Sequence, residues 1–386
     1  MGLQIGRDKC VKMHVGKTRQ NDICTDCKVD AWKDVLLKHE DGHEELKDTY
    51  LGEEVMKNVH NKKYLGSIIS NDMGNKINIV EKTNRGVGIV NKIRTTLIER
   101  PYGKYTYKAA ALMREGLLLS SMLNNSESWI DITKQDIEKL EKPDKILIRS
   151  ILGSQGNPST VFMYLELGFL PVKYVIMKKR LNFLKYILNE NMNTMLRKVY
   201  EVLKTDSRKG DFVDLVQHDL NDLEIELSEN EIQNTTKVQW KRFINIKVKE
   251  AAFQYLIAEN NEKSKTKHIN FDSLQMSKYL AENKSTALSK TILSVRSGTL
   301  DLKVWNSLFY ENTLCVMCKK EDETIEHFMT CNTYGKTSWE IDWKEIFLNH
   351  VEKQNTVAKE VKRRQFIRQK KLDEVGLPPI LAPLLQ

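Results

Sequence analysis

Four residues near the C-terminus constrain this chain more than any other feature: Cys315, Cys318, His327 and Cys331, in CVMCKKEDETIEHFMTC. Two cysteines separated by two residues let one tight turn aim both sulfurs at a single point. His327 and Cys331 stand at i and i+4, so on a helix they share a face one turn apart. The residues between, KKEDETIE, are polar and read as a connecting loop. Asp322 and Glu323 suit the start of a helix, where the dipole favours negative charge. A closed set of three sulfurs and one nitrogen describes a structural zinc ion rather than a catalytic one. Soft thiolates argue against magnesium or calcium. One structural Zn2+ on these four side chains is therefore the expected cofactor. Cys24 and Cys27 form another CxxC, with Cys10, His14, His39 and His43 as further donors, but no recognisable spacing orders them. They are read as turn cysteines.

The chain has 386 residues, enough for two or three domains, with 40% apolar and 29% charged residues, the balance of a globular protein. Lys and Arg number 61 against 52 Asp and Glu, a formal net charge of +9 that favours a polyanionic partner over an acidic small substrate. No apolar run of about 18 residues occurs, and the N-terminus, MGLQIGRDKCVKMHVGK, is polar and basic. The expectation is an intracellular protein, nuclear or cytoplasmic, with no membrane partner and cysteines that are thiols or metal ligands.

Residues 9–15 and KYLGSIIS (63–70) are β-prone, and the polar stretch between them reads as turns. From about Asn75 the periodicity is helical: Ile79, Val87, Val90, Ile93 and Leu97 recur at helical spacing. A second helix is expected over Tyr105 to Leu123. A third follows Thr133, with Asp136 three residues on as in a capping box; Pro143 interrupts it and Gly153 ends it. VFMYLELG is helical, and Pro171 opens a helix with the apolar stripe Val172, Val175, Ile176, Leu184, Ile187 and Leu188, while Lys178, Lys179, Arg180 and Lys185 gather elsewhere. Residues 205–230 turn acidic and irregular, a candidate boundary. Helices are expected at roughly Val238–Asn260 and Asp272–Glu282, with Lys247, Lys249, Lys263, Lys265 and Lys267 on and between them. The tail, KEVKRRQFIRQKKLDEVGLPPILAPLLQ, reads as a basic helix with a Pro-rich end.

These segments resemble the C-terminal part of LINE-type (non-long-terminal-repeat) retrotransposon reverse transcriptases. The resemblance rests on KCVKMHVGK followed by KYLGSIISNDMGNKINIVEKTNRGVGIVNKI, on LNNSESWIDITKQDIEKLEKPDKILIRSILG and YLELGFLPVKYVIMKKRLNFLKYIL, and on the CCHC cluster. It implies a mainly α chain: a small α+β remnant of the palm over 1–74, a helical thumb over 75–204, a helical linker over 205–300, a CCHC zinc knuckle over 301–340 and a basic tail over 341–386. KYLGSIIS would be the hairpin beside the primer grip. The thumb's basic faces would track the template–primer duplex through phosphate contacts. Candidates are Lys82, Arg85, Lys92 and Arg94, then Lys178, Lys179 and Arg180, with Lys362, Arg363, Arg364 and Arg368 in the tail.

The family's polymerase needs adjacent aspartates in a Tyr/Phe-x-Asp-Asp turn, and this sequence has no Asp-Asp. No polymerase activity is expected of the chain alone, which looks like a portion of a longer enzyme. Asp342 and Lys344 imitate a nuclease triplet by chance. The expected partners are RNA or an RNA–DNA duplex, together with the missing polymerase core, and no small-molecule substrate. The alternative is a relic acting as a zinc-dependent interaction module.

Overall fold

A computed structural model of the protein describes residues 61–64, 66–70, 74–98, 106–153, 158–283, 285–305, 312–335 and 342–374, with the backbone of short strand pieces between residues 11 and 58. The chain is mainly helical. The KYLGSIIS run forms the expected β element: Asn61–Tyr64 and Ser67–Ser70 pair antiparallel, with Ile68 opposite Lys63. Gly66 makes the turn at φ +82°, where a side chain is strained. The hairpin is fastened to the first helix by two bonds. Asn78 Oδ1 accepts from the Ile68 amide at 3.0 Å, and Lys82 Nζ donates to the Gly66 carbonyl at 2.8 Å.

That first helix, α1, spans Lys76–Ile93 and continues through a wide π turn, Arg94–Ile98. The second expected helix arrives in pieces: α2 (Tyr107–Met113), a π segment (Arg114–Leu119) and α3 (Ser120–Met122). Thr133 and Asp136 form the capping box of α4 (Lys134–Leu152), which ends at Gly153 with φ +54°. Pro143 does not interrupt α4, correcting the sequence reading. Proline removes one helical N–H, but here its ring is buried where α4 crosses α1. Gly86 faces it so closely that a Cβ would stand 3.1 Å from Pro143 Cγ and 3.0 Å from Met122 Sδ.

Next come α5 (Thr160–Leu167) and α6 (Val172–Asn189), whose apolar stripe is buried as expected, with Val175 partly so. Among the described residues no single helix is long and apolar enough to cross a membrane. Together α5 and α6 are long and apolar enough, but they are bent by 54° and most of their apolar residues lie in the core. α7 (Met195–Thr205), α8 (Phe212–Asp222) and α9 (Glu229–Asn234) pack against α6. Residues 205–230, expected to be irregular, thus include the helix Phe212–Asp222 packed on α6. Phe212 meets Phe183 edge to face at 5.7 Å, and Asp219 pairs with Arg180 at 2.7 Å.

The long α10 (Lys237–Asn261) lies on α5 and α6, and Trp240 Nε1 donates to the Leu181 carbonyl. Only Lys278–Glu282 (α11) of the expected 272–282 helix forms, and α12 (Thr286–Arg296) was not anticipated. α13 (Ile325–Thr330) and α14 (Val351–Glu374) are the last helices among the described residues, with α14 against α11 and α12.

Candidate metal centre

The zinc-ligand pattern folds as its spacing implies. An isolated bridge between Leu314 and Asp322 closes a short hairpin, inside which the Cys315 amide donates to the Glu321 carbonyl at 2.7 Å. The Lys319 amide returns to the Cys315 carbonyl at 3.0 Å, and Lys319 takes φ +56°, so the chain reverses tightly enough to bring Cys315 and Cys318 together. Thr324 caps α13, accepting from the His327 amide at 3.1 Å. Cys331 follows the last residue of α13, and its amide donates to the His327 carbonyl, which keeps the two side chains one turn apart.

The four donor atoms all lie within 4.8 Å of one another. A tetrahedral zinc with Zn–S of about 2.3 Å needs sulfurs roughly 3.8 Å apart, so these residues fit the ion with small side-chain adjustments. Cys318 Sγ and His327 Nε2 are already 3.2 Å apart. The cluster can hold one zinc ion in a closed site. Cys315 and Cys331 are buried, Cys318 is half-buried, and the His327 side chain is 10% exposed. Burial pushes the Cys315 thiol up to about 12. Burial acts the same way on Cys318, but the backbone amides of Lys320 and Glu321 and the His327 ring outweigh it and bring that thiol down to about 7.

Around the ligands lies a shell that the sequence did not reveal. Glu321 Oε2 stands 3.0 Å from His327 Nδ1, the carboxylate–histidine arrangement that fixes a ligand ring and leaves Nε2 for the metal. Glu323 was expected in a polar loop but is fully buried. Its two oxygens accept from Arg368 at 2.9 and 2.8 Å, and it also takes the Lys303 amide. Arg364 donates to the Phe328 and Cys331 carbonyls at the end of α13 and to Glu360. Arg363 reaches the Tyr334 carbonyl. Three arginines of α14 thus seat that helix on the knuckle.

Several of the side chains expected to contact phosphates have partners inside the fold. Arg364 and Arg368 are buried in these pairs, and free energy already committed to carboxylates and carbonyls is not available to phosphates. Lys82 is fully buried on the Gly66 carbonyl, and burial lowers its pKa. Arg180 is buried against Asp219. The resemblance offered these residues as basic surface, but each of these long side chains runs along the fold and ends on an acceptor within it. Arg363 is held by Glu360. Arg94 is half-buried with a partner. Lys178 donates to Asn245 Oδ1, and Lys179 donates to the Leu123 carbonyl and lies beside Glu127. Arg85 and Lys92 are exposed on α1, and Lys362 is half-exposed on α14. Lys185 instead closes the C-terminus of α9, donating to the carbonyls of Ile232, Gln233 and Thr235. Asp342, the acid of the nuclease-like triplet, caps a short 3-10 turn (Trp343–Phe347). The side chains of Cys24, Cys27 and the other N-terminal donors lie outside the described residues.

Comparison with family models, with curated proteins and with solved structures gives no match.

Proposed function

We propose that this protein binds RNA or an RNA–DNA duplex, with one structural zinc ion organising its C-terminal region, and that it derives from the thumb and knuckle of a retrotransposon reverse transcriptase. The observation that carries the zinc half is the convergence of Cys315, Cys318, His327 and Cys331 with Glu321 behind the histidine ring. A closed Cys3His set has no open position, so the ion's role is to hold the knuckle together rather than to activate water. The nucleic-acid half is supported by the net charge of +9, by the exposed Arg85 and Lys92 on α1, and by the sequence resemblance. Phosphate contacts of this kind position a strand without reading its sequence.

The test is metal content of the purified chain beside Cys318→Ser, followed by RNA binding over a salt series. One zinc per chain that is lost in the variant, and an affinity falling with salt, are the expected results. Full zinc occupancy in the variant would refute the site. Salt-independent or absent RNA binding would leave the second reading, a zinc-dependent protein-interaction module, which the exposed apolar Ile77 and Val80 of α1 favour.

A further inference from the structure

A second basic feature lies away from the knuckle, where the turn after α10 meets the start of α5. A cleft of about 520 Å³ is lined there by Arg149, Ser159, Thr160, Lys263, Lys265 and Thr299 among others, with Glu262 as its one acid. Arg149, Lys263 and Lys265 are exposed, and none makes an ion pair among the described residues. This sets them apart from Lys82, Arg180, Arg364 and Arg368, which the fold consumes internally. The lysines are held in place by their backbone. The Lys263 amide donates to the Asn260 carbonyl, and the Thr266 amide returns to the Lys263 carbonyl. Thr266 is itself buried, its hydroxyl on Asn260 Oδ1 at 2.7 Å. The stem of Lys265 lies against Gly298, where a Cβ would stand 3.0 Å from Lys265 Cβ. Across the cleft, Ser159 makes no side-chain cap bond to α5, so first-turn amides lack a capping oxygen where Thr160 faces the cleft. Three cations with no ion pair among the described residues, hydroxyls, and first-turn amides that the Ser159 side chain does not cap stand against one carboxylate, a donor-rich surface for a multiply charged oxyanion.

We propose that this cleft binds phosphate groups, and that their source is the backbone of a single RNA strand. The proposal deepens the nucleic-acid reading above and rests on it for the choice of strand. The geometry favours a strand because the cleft is open rather than enclosed, which suits a chain of phosphates lying along it better than a single trapped ion.

The experiment compares the full-length chain with Lys263→Ala/Lys265→Ala, and with Lys198→Ala/Lys209→Ala, which removes the same charge from exposed positions on and beside α7. RNA oligonucleotide binding is measured from 0.05 to 0.5 M salt, and inorganic pyrophosphate binding by calorimetry. Each lost contact to single-stranded RNA should flatten the log–log salt slope by about 0.7, which is about fivefold in affinity per contact at 0.1 M salt relative to 1 M. The cleft variant should therefore lose about 25-fold at 0.1 M and about 1.4 in slope. The control variant should bind as the parent does, and zinc content should be equal in all three. If the cleft variant keeps its RNA affinity but loses pyrophosphate binding, the phosphate site stands and the strand is overturned as its source. If the parent binds no RNA yet binds pyrophosphate through these lysines, the nucleic-acid reading falls and the cleft survives. If neither ligand responds to the cleft variant, the proposal is overturned.

Discussion

At the scale of single residues, the metal centre separates ligands from the groups that aim them. Glu321 is 73% exposed in its side chain yet sits 3.0 Å from His327 Nδ1. Removing an orienting carboxylate of this kind costs about 10- to 100-fold in metal affinity without removing a ligand. Glu321→Ala should therefore bind one zinc at that reduced affinity in competition with a chelator, and an unchanged affinity would show that the contact does not orient the ring. A second residue gives a pH signature. Burial raises the Asp219 carboxyl from 3.8 to about 6, and Arg180 offsets this only in part. Because the folded value is the higher one, the folded chain holds a proton between about pH 4 and pH 6 that the unfolded chain has released. Stability from this group is thus greatest below pH 4 and falls as pH rises through 6. The change is on the order of 3 kcal/mol over that window. Urea unfolding at stepped pH should show this fall, and Asp219→Asn should remove the slope even though it costs stability by leaving Arg180 unpaired.

At the scale of elements, α13 and α14 act as one unit with the knuckle between them. Arg363, Arg364 and Arg368 grip the Tyr334, Phe328 and Cys331 carbonyls and Glu323, all within or beside the ligand segment. Zinc should therefore protect a helix that contributes no ligand. Chelation is expected to speed hydrogen exchange in α13 and through 360–372 while leaving α1 and α4 slow; unchanged protection in α14 would show that it docks without the metal. Much of this architecture was readable in sequence. The CxxC–HxxxC spacing, the Thr133–Asp136 box and the stripe of α6 are local patterns, fixed within one or two turns. What escaped was decided at long range. Pro143 packs inside its helix against Gly86 on another helix, and Arg368 reads as a surface charge until Glu323, 45 residues earlier, is placed beneath it. Gly168 is another such case. It ends α5 at φ +64°, and a Cβ there would stand 2.3 Å from the Gln275 carbonyl carbon. Backbone cannot yield as a side-chain tip can, so Gly168→Ala should lose at least 2–3 kcal/mol in thermal or urea unfolding.

At the scale of the whole molecule, one guanidinium joins the helical half to the metal-bearing half. Arg296 Nε donates to Glu166 of α5 at 2.6 Å across 130 residues, and Nη1 donates to the Ile346 and Phe347 carbonyls just before α14. Both partners are buried, and the guanidinium lies 5.8 Å from the Phe271 ring and 5.7 Å from the Tyr279 ring. Removing one member of such a pair strands a charge in a low dielectric and costs about 3–5 kcal/mol, whereas replacing both with apolar groups is far milder. Glu166→Leu should therefore be strongly destabilising, and Glu166→Leu/Arg296→Met should regain much of the loss, less what the Ile346 and Phe347 carbonyls forfeit. The informative readout is paired: helical content by circular dichroism and zinc release, both followed in the same urea titration. If Arg296 couples the halves, Glu166→Leu moves the two transitions down together, because α5 cannot loosen without freeing the segment that carries α14 to the knuckle. If helical content shifts while zinc release keeps its original midpoint, the knuckle and α14 form an independent unit, and the pair serves only the packing of α5 on α12.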